Sequence, residues 1–123
     1  MRWILVLAML GLTACATHSP VDPLANYYDN TVLVTQPYGE TDRLLLSRDH
    51  TYVMYGVRFA QGHGLWSIED NKVCLMPQDT PETAGQKFCN AWSGRDVGDR
   101  WTIDIAGTEV PMMLTMGRLG PIH

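Results

Sequence analysis

Six residues near the C-terminal end limit the fold more than any other stretch. In Arg100-Trp101-Thr102-Ile103-Asp104-Ile105 every second side chain is large and apolar, and those between are polar or charged. Side chains alternate across a strand with a period of two, so this segment reads as a strand with one dry face and one wet face. Trp101 and Ile103 are expected inside. The pattern returns as Val110, Met112, Leu114 and Met116, which makes 106–109 a hairpin turn, and Pro111 marks the second strand as bulged or at an edge.

Similar short segments recur upstream at 31–35, 42–47, 51–57, 64–68, 72–76 and 86–92, joined by turn-like stretches at 48–50, 59–63 and 69–71. Eleven Gly and seven Pro in 123 residues fit a turn-rich chain of one domain. About eight short strands in succession predict an all-β fold, a small antiparallel meander closed as a barrel or packed as a sandwich. No segment has a convincing amphipathic helical pattern; 26–31 is the best helical candidate, and 80–87 could form one turn. Nine Lys and Arg against thirteen Asp and Glu leave a net charge of −4, which offers no basic footprint for nucleic acid.

The start of the chain is organised differently. Met1-Arg2-Trp3 carries one positive charge and 4–12 are apolar, the layout of an export leader. The apolar run is too short for the roughly 20 residues a spanning helix needs. It ends in Leu12-Thr13-Ala14-Cys15, which resembles the lipobox of bacterial lipoproteins. That resemblance implies removal of 1–14, a diacylglyceryl group and acyl chains such as palmitate on Cys15, and a membrane partner reached through the lipid. In that family a residue other than Asp after the Cys goes with the outer membrane, and here it is Ala16. The alternative takes Ala14-Cys15-Ala16 as an ordinary cleavage site that releases a soluble periplasmic protein. Residues 15–26, with Pro20 and Pro23, read as the anchor and an extended tether, leaving 27–123 as the β domain.

With Cys15 set aside, Cys74 and Cys89 form an even pair in an exported chain, and a disulfide is expected. The stretch between them holds Pro77, Pro81 and Gly85 and reads as a loop. There is no C-x-x-C, and no His lies near either Cys, so a metal or redox role has no support in the spacing.

Catalytic patterns are scarce. His18 falls in the tether and His123 is the last residue, which leaves His50 and His63, neither in a two-ligand spacing. No G-x-S-x-G exposes a serine, and Gly62-His63-Gly64 reads as a flexible turn rather than a phosphate loop. Glu40, Asp42, Glu69 and Asp70 fall in turns, where solvation accounts for them. The aromatic residues are more suggestive. Tyr52 shares a strand face with Met54 and Arg58, and together with His63 and a rim-placed Trp66 these would line a pocket with one cation. The plainer reading is that the rings fill a small core.

Asp49, Thr51, Tyr52, Gly64, Trp66 and Cys74, continuing to Cys89, Trp92, Gly98, Asp99 and Trp101, are similar to a pattern in small secreted bacterial β-proteins of unknown function. The likeness implies a calycin-like meander and no activity. The expected function is therefore a lipid-anchored, non-enzymatic envelope module that uses no cofactor or metal and binds a small ligand or envelope protein. One alternative is an inhibitor like the periplasmic lysozyme inhibitors. The other is a small calycin-type isomerase or cyclase, which needs a cleft gathering His50 or His63 with Arg58 and a carboxylate. A filled interior favours binding, and an open polar one favours the enzyme.

Overall fold

Eight antiparallel strands follow one another in the order of the chain: β1 (Thr31–Thr35), β2 (Thr41–Leu46), β3 (Thr51–Tyr55), β4 (Gly62–Glu69), β5 (Lys72–Pro77), β6 (Phe88–Asn90), β7 (Arg100–Ile105) and β8 (Thr108–Thr115). The computed structural model describes residues 22–57, 61–79, 85–92 and 94–121. Each strand from β1 to β5 pairs with the next, β7 pairs with β8, and β8 returns to pair with β1, giving the order β6-β5-β4-β3-β2-β1-β8-β7. The result is a nearly closed up-and-down barrel. Its one seam lies between β6 and β7, which share no ladder and are bridged by the Asp104 N–H donating to Asn90 Oδ1 at 3.3 Å.

Two hairpins turn on two residues each. Asp70 and Asn71 both have positive φ, as do Ala106 and Gly107, the paired left-handed conformation that matches the right-handed twist of the flanking strands. Pro111 stands opposite Thr102 of β7, one residue beyond Met112, where the ladder to β1 stops. It therefore sits where β8 has a neighbour on one side only, as a residue without an N–H should.

The alternation decides the core. Val32 and Val34, Leu44 and Leu46, Trp101 and Ile103, and Val110, Met112 and Leu114 are buried in one cluster with Tyr52, Trp66 and Val73, while Arg100, Thr102 and Asp104 are exposed. Asp42 is also fully buried, and its carboxylate accepts hydrogen bonds from Gln36 Nε2 and the Val57 N–H. A buried carboxylate keeps its place only when its lone pairs are used.

Several expectations change. Residues 22–26 do not form an extended tether: Leu24 is fully buried, and turns over 22–30 carry Leu24, Tyr27 and Tyr28 into the barrel end. These turns are not a helix, so 26–31 has no helical segment either. Gly62-His63-Gly64 is not a turn but the start of β4, paired with Met54, Val53 and Tyr52. Trp66 does not stand exposed at the rim: it is buried, and it lines the grooves at that end of the barrel. The expected one-turn helix at 80–87 falls mostly outside the described residues.

Gly64 shows why β4 begins with small residues. The Tyr52 ring lies across it, so a Cβ there would fall 2.4 Å from that ring and 2.4 Å from the Met76 carbonyl oxygen. The ring can move but the strand carbonyl cannot without breaking the sheet. Gly64→Ala is expected to cost about 1–3 kcal/mol from overpacking, read as a lower urea midpoint at unchanged m-value. An unchanged midpoint would show that the ring and strand yield freely.

Candidate functional site

Four stretches meet at one end of the barrel: the turns at 22–30, the β2–β3 turn, the β4–β5 hairpin and the tail after β8. The β2–β3 turn is tight, with the Ser47 N–H bonded to Thr51 O and the His50 N–H to Ser47 O, and His50 takes a positive φ of 68°. Trp66 fixes this turn twice. Its backbone N–H donates to His50 O at 2.8 Å, and its indole N–H donates to Ser47 O at 2.7 Å.

The consequence is a fixed stack. The imidazole of His50 lies flat on the Trp66 indole, with centroids 4.1 Å apart and planes 14° off parallel. Tyr28 packs at 6.0 Å from the same indole, and the Arg48 guanidinium sits 4.8 Å from the Tyr28 centroid. Asp22 accepts the Tyr28 hydroxyl at 2.7 Å, and Arg118 donates to the carbonyls of Tyr28 and Leu46. His50 and Arg48 are exposed although the rings beneath them are buried.

A groove opens on each side of this stack. One, of about 440 Å³, runs past Leu65, Ser67, Glu69 and Lys87 over the outer face of the Cys74–Cys89 disulfide. The other, of about 410 Å³, runs past Asp22, Tyr28, Arg48 and Ile68. Lys87 and Ser67 both donate to Glu69, so the first groove has a neutralised polar wall, and these bonds hold the Glu69 carboxyl below its ordinary range. A third groove, about 540 Å³, lies on the outer face where β1 and β8 part at Pro111, beside Leu33 and Met113.

No known family model, curated protein or solved structure matches this chain. The site must be read from its own geometry.

The four residues expected to share a pocket are Tyr52, Arg58, His63 and Trp66. Tyr52 and Trp66 are in the core, and His63 is on the outer face of β4 with its ring half exposed. Arg58 lies outside the described residues, as does Cys15. His63 has its own partners: Asp79 Oδ2 accepts its backbone N–H at 2.8 Å and lies 3.4 Å from Nδ1, and Gln61 meets Nε2. Glu69, Cys74 and Cys89 place potential ligand atoms within 4.8 Å of one another, but both sulfurs are joined in the disulfide and offer no thiolate.

Sequence reasoning missed Tyr28 and Arg48 and did not foresee the Trp66 contact with His50. A ring carried on a run of turns has no periodic partner, so no local pattern points to it.

Burial pushes the Tyr52 hydroxyl up to about 12, helped by the charge of Asp79. Burial and then the hydrogen bond to Asp22 push Tyr28 up to about 12, against a small opposing effect of Arg48, and burial raises Tyr27 further. All three folded values lie above the unfolded one of about 10. The stability they contribute is complete below that pH and is lost as the pH rises through the folded values. Alkaline unfolding is therefore expected to begin above about pH 10, with tyrosinate absorbance and loss of near-ultraviolet dichroism rising together. Ionisation of these residues at ordinary pH with the fold intact would contradict their burial.

Proposed function

We propose that this chain is an exported, lipid-anchored envelope module that binds a small ligand or partner protein at the rim around His50, without performing chemistry on it. The observation that carries the reading is the His50–Trp66 stack: one imidazole face is spent on the core while the residue stays exposed between two grooves. The described interior is packed with side chains, which favours recognition at the rim. A disulfide fits an oxidising compartment, and the Leu12 to Cys15 motif supports the anchor.

The anchor would also orient the site. Asp22 is seven residues from Cys15, a span of at most about 25 Å when extended. The end of the barrel bearing His50 would then face the membrane that holds the lipid. Intact mass of protein extracted from its own host is expected to show acyl chains on an N-terminal Cys15, and Cys15→Ser to release it from membranes. A soluble, unlipidated mature protein would refute the anchor. For the rim, native mass spectrometry of the same material is expected to show a co-purified ligand or partner that His50→Ala loses; retention in that variant would remove the rim assignment.

A small barrel enzyme is the second reading, and the His63–Asp79 pair is the observation on its side. That pair is exposed, and the rim reading places no reacting group there.

A further inference from the structure

The outer groove where β1 and β8 part has a cation of its own, and the register of four strands puts it there. Arg100 stands opposite Met113, Met113 opposite Leu33, and Leu33 opposite Arg43, so these four residues form one row across β7, β8, β1 and β2. The row is on the outer face. Trp101, Met112, Val32 and Leu44, each next in sequence to a member of it, are in the core. The ladder between β1 and β8 ends at Val34 and Met112, and the groove of about 540 Å³ opens there.

The groove has an aliphatic floor and one charged edge. Leu33 and Met113 are partly buried, Pro111 is exposed beside them, and among the described residues no acidic side chain lines it. Neighbouring strands lie about 4.8 Å apart, so from Arg100 on β7 to Thr41 on β2 the groove crosses roughly 14 Å of sheet. Arg100 is exposed, and among the described residues its guanidinium has no hydrogen-bond or ion-pair partner. Arg43 is not its equal, because its Nη1 donates to Gly120 O at 2.7 Å and ties it to the tail. Thr102, two residues on from Arg100 on the same face, adds a hydroxyl.

We infer that this outer groove is a second binding site, separate from the His50 rim, which takes a single-chain anionic amphiphile, an alkyl carboxylate. The planar carboxylate matches the fork of the Arg100 guanidinium, and the alkyl chain covers Leu33, Met113 and Pro111. Both halves of the ligand are needed. An exposed ion pair by itself contributes little, so a carboxylate without a chain is not held, and a chain without the charge lacks its anchor. Single charge follows from the count of cations. A phosphate monoester carries close to two charges, and here it would meet one free guanidinium on a chain of net charge −4.

The test follows the methionine methyl resonances of the full chain during titration with sodium octanoate, kept below the concentration at which it forms micelles. Sodium acetate, octyltrimethylammonium and octyl phosphate at matched ionic strength are the comparisons, and Met113→Leu assigns the reporting signal. Octanoate is expected to move the Met113 methyl saturably and to leave that of Met76, which lines the groove beside His50, in place. Acetate and octyltrimethylammonium are expected to move neither, and octyl phosphate to bind more weakly than octanoate. Arg100→Gln is expected to weaken octanoate binding about fivefold or more, with the Met112 and Met76 signals unmoved as proof that the fold is kept. No saturable shift with octanoate, an equal shift with octyltrimethylammonium, octyl phosphate bound as tightly as octanoate, or binding indifferent to Arg100→Gln would each overturn the proposal. Met76 reports the rim separately, so failure at the outer groove leaves the rim reading untouched.

Discussion

Trp66→Ala is expected to destabilise the protein by about 3–5 kcal/mol, at least as much as Trp101→Ala. Trp66 is 4% exposed and Trp101 is 8%, so the two remove similar buried area. They differ in their polar atom. The Trp66 indole N–H is used by Ser47 O, and its ring supports His50, whereas the Trp101 N–H has no partner. Truncation at 66 therefore leaves a cavity and removes the hold on the β2–β3 turn together, and truncation at 101 leaves a cavity and removes ring contacts to Trp92, Tyr27 and Arg95 but no hydrogen bond. Against a total of roughly 5–15 kcal/mol either change threatens the fold. Urea unfolding of both variants, with Trp66→Phe as the control that keeps a ring and loses the N–H, checks the ranking. A clearly milder effect at 66 would return that residue to the rim.

The second large effect concerns the disulfide. Replacing Cys74 and Cys89 together by Ser is expected to cost about 3 kcal/mol for a bridge closing a loop of this size. The two residues are direct cross-strand partners, 15 apart in sequence. β6 has only three residues, pairs with β5 through three positions, and has no ladder on its other side. The covalent bond is thus what keeps β6 in the wall. A fall in Tm of roughly 10 °C or more is expected, and the same fall on reduction of the unaltered protein. If reduction leaves the Tm unchanged, β6 is held by packing alone.

The strands were legible where alternation met a partner of the same length. β7 was read at its true ends because Trp101, Ile103 and Ile105 alternate with polar residues over the whole strand. Alternation alone starts β4 too late because its first residues are Gly62, His63 and Gly64, a composition that suggests a turn when no neighbour is in view. The neighbour is what matters: Gly64 is small because Tyr52 lies over it. The same composition puts Trp66 near the rim, although it is two residues on from Gly64 and so shares its inward face. The apolar Leu65 points outward at 37% exposure and hides that parity. Leu24, Tyr27 and Tyr28 gave no signal, since a plug made of turns has neither a period of two nor one of 3.6. The rim at His50 depends on that plug, which is why its residues could be named in part but not assembled.

The course of the β1–β8 ladder has a consequence for how the molecule forms. Every other ladder joins strands that are consecutive in the chain, but Thr31 must find Thr115. The hairpins can appear quickly and independently, and their rates owe little to the rest of the sequence. Docking β8 onto β1 spans nearly the entire domain and carries the largest loop-closure entropy. The tail after β8 then returns to the same place, where Leu119 donates to Thr31 Oγ1 and that hydroxyl donates to Gly117 O. A circular permutant that joins 121 to 22 and starts anew in the connector at the seam would turn this slowest search into a local one. Such a chain should reach the same barrel faster, from two termini placed where no ladder has to be cut.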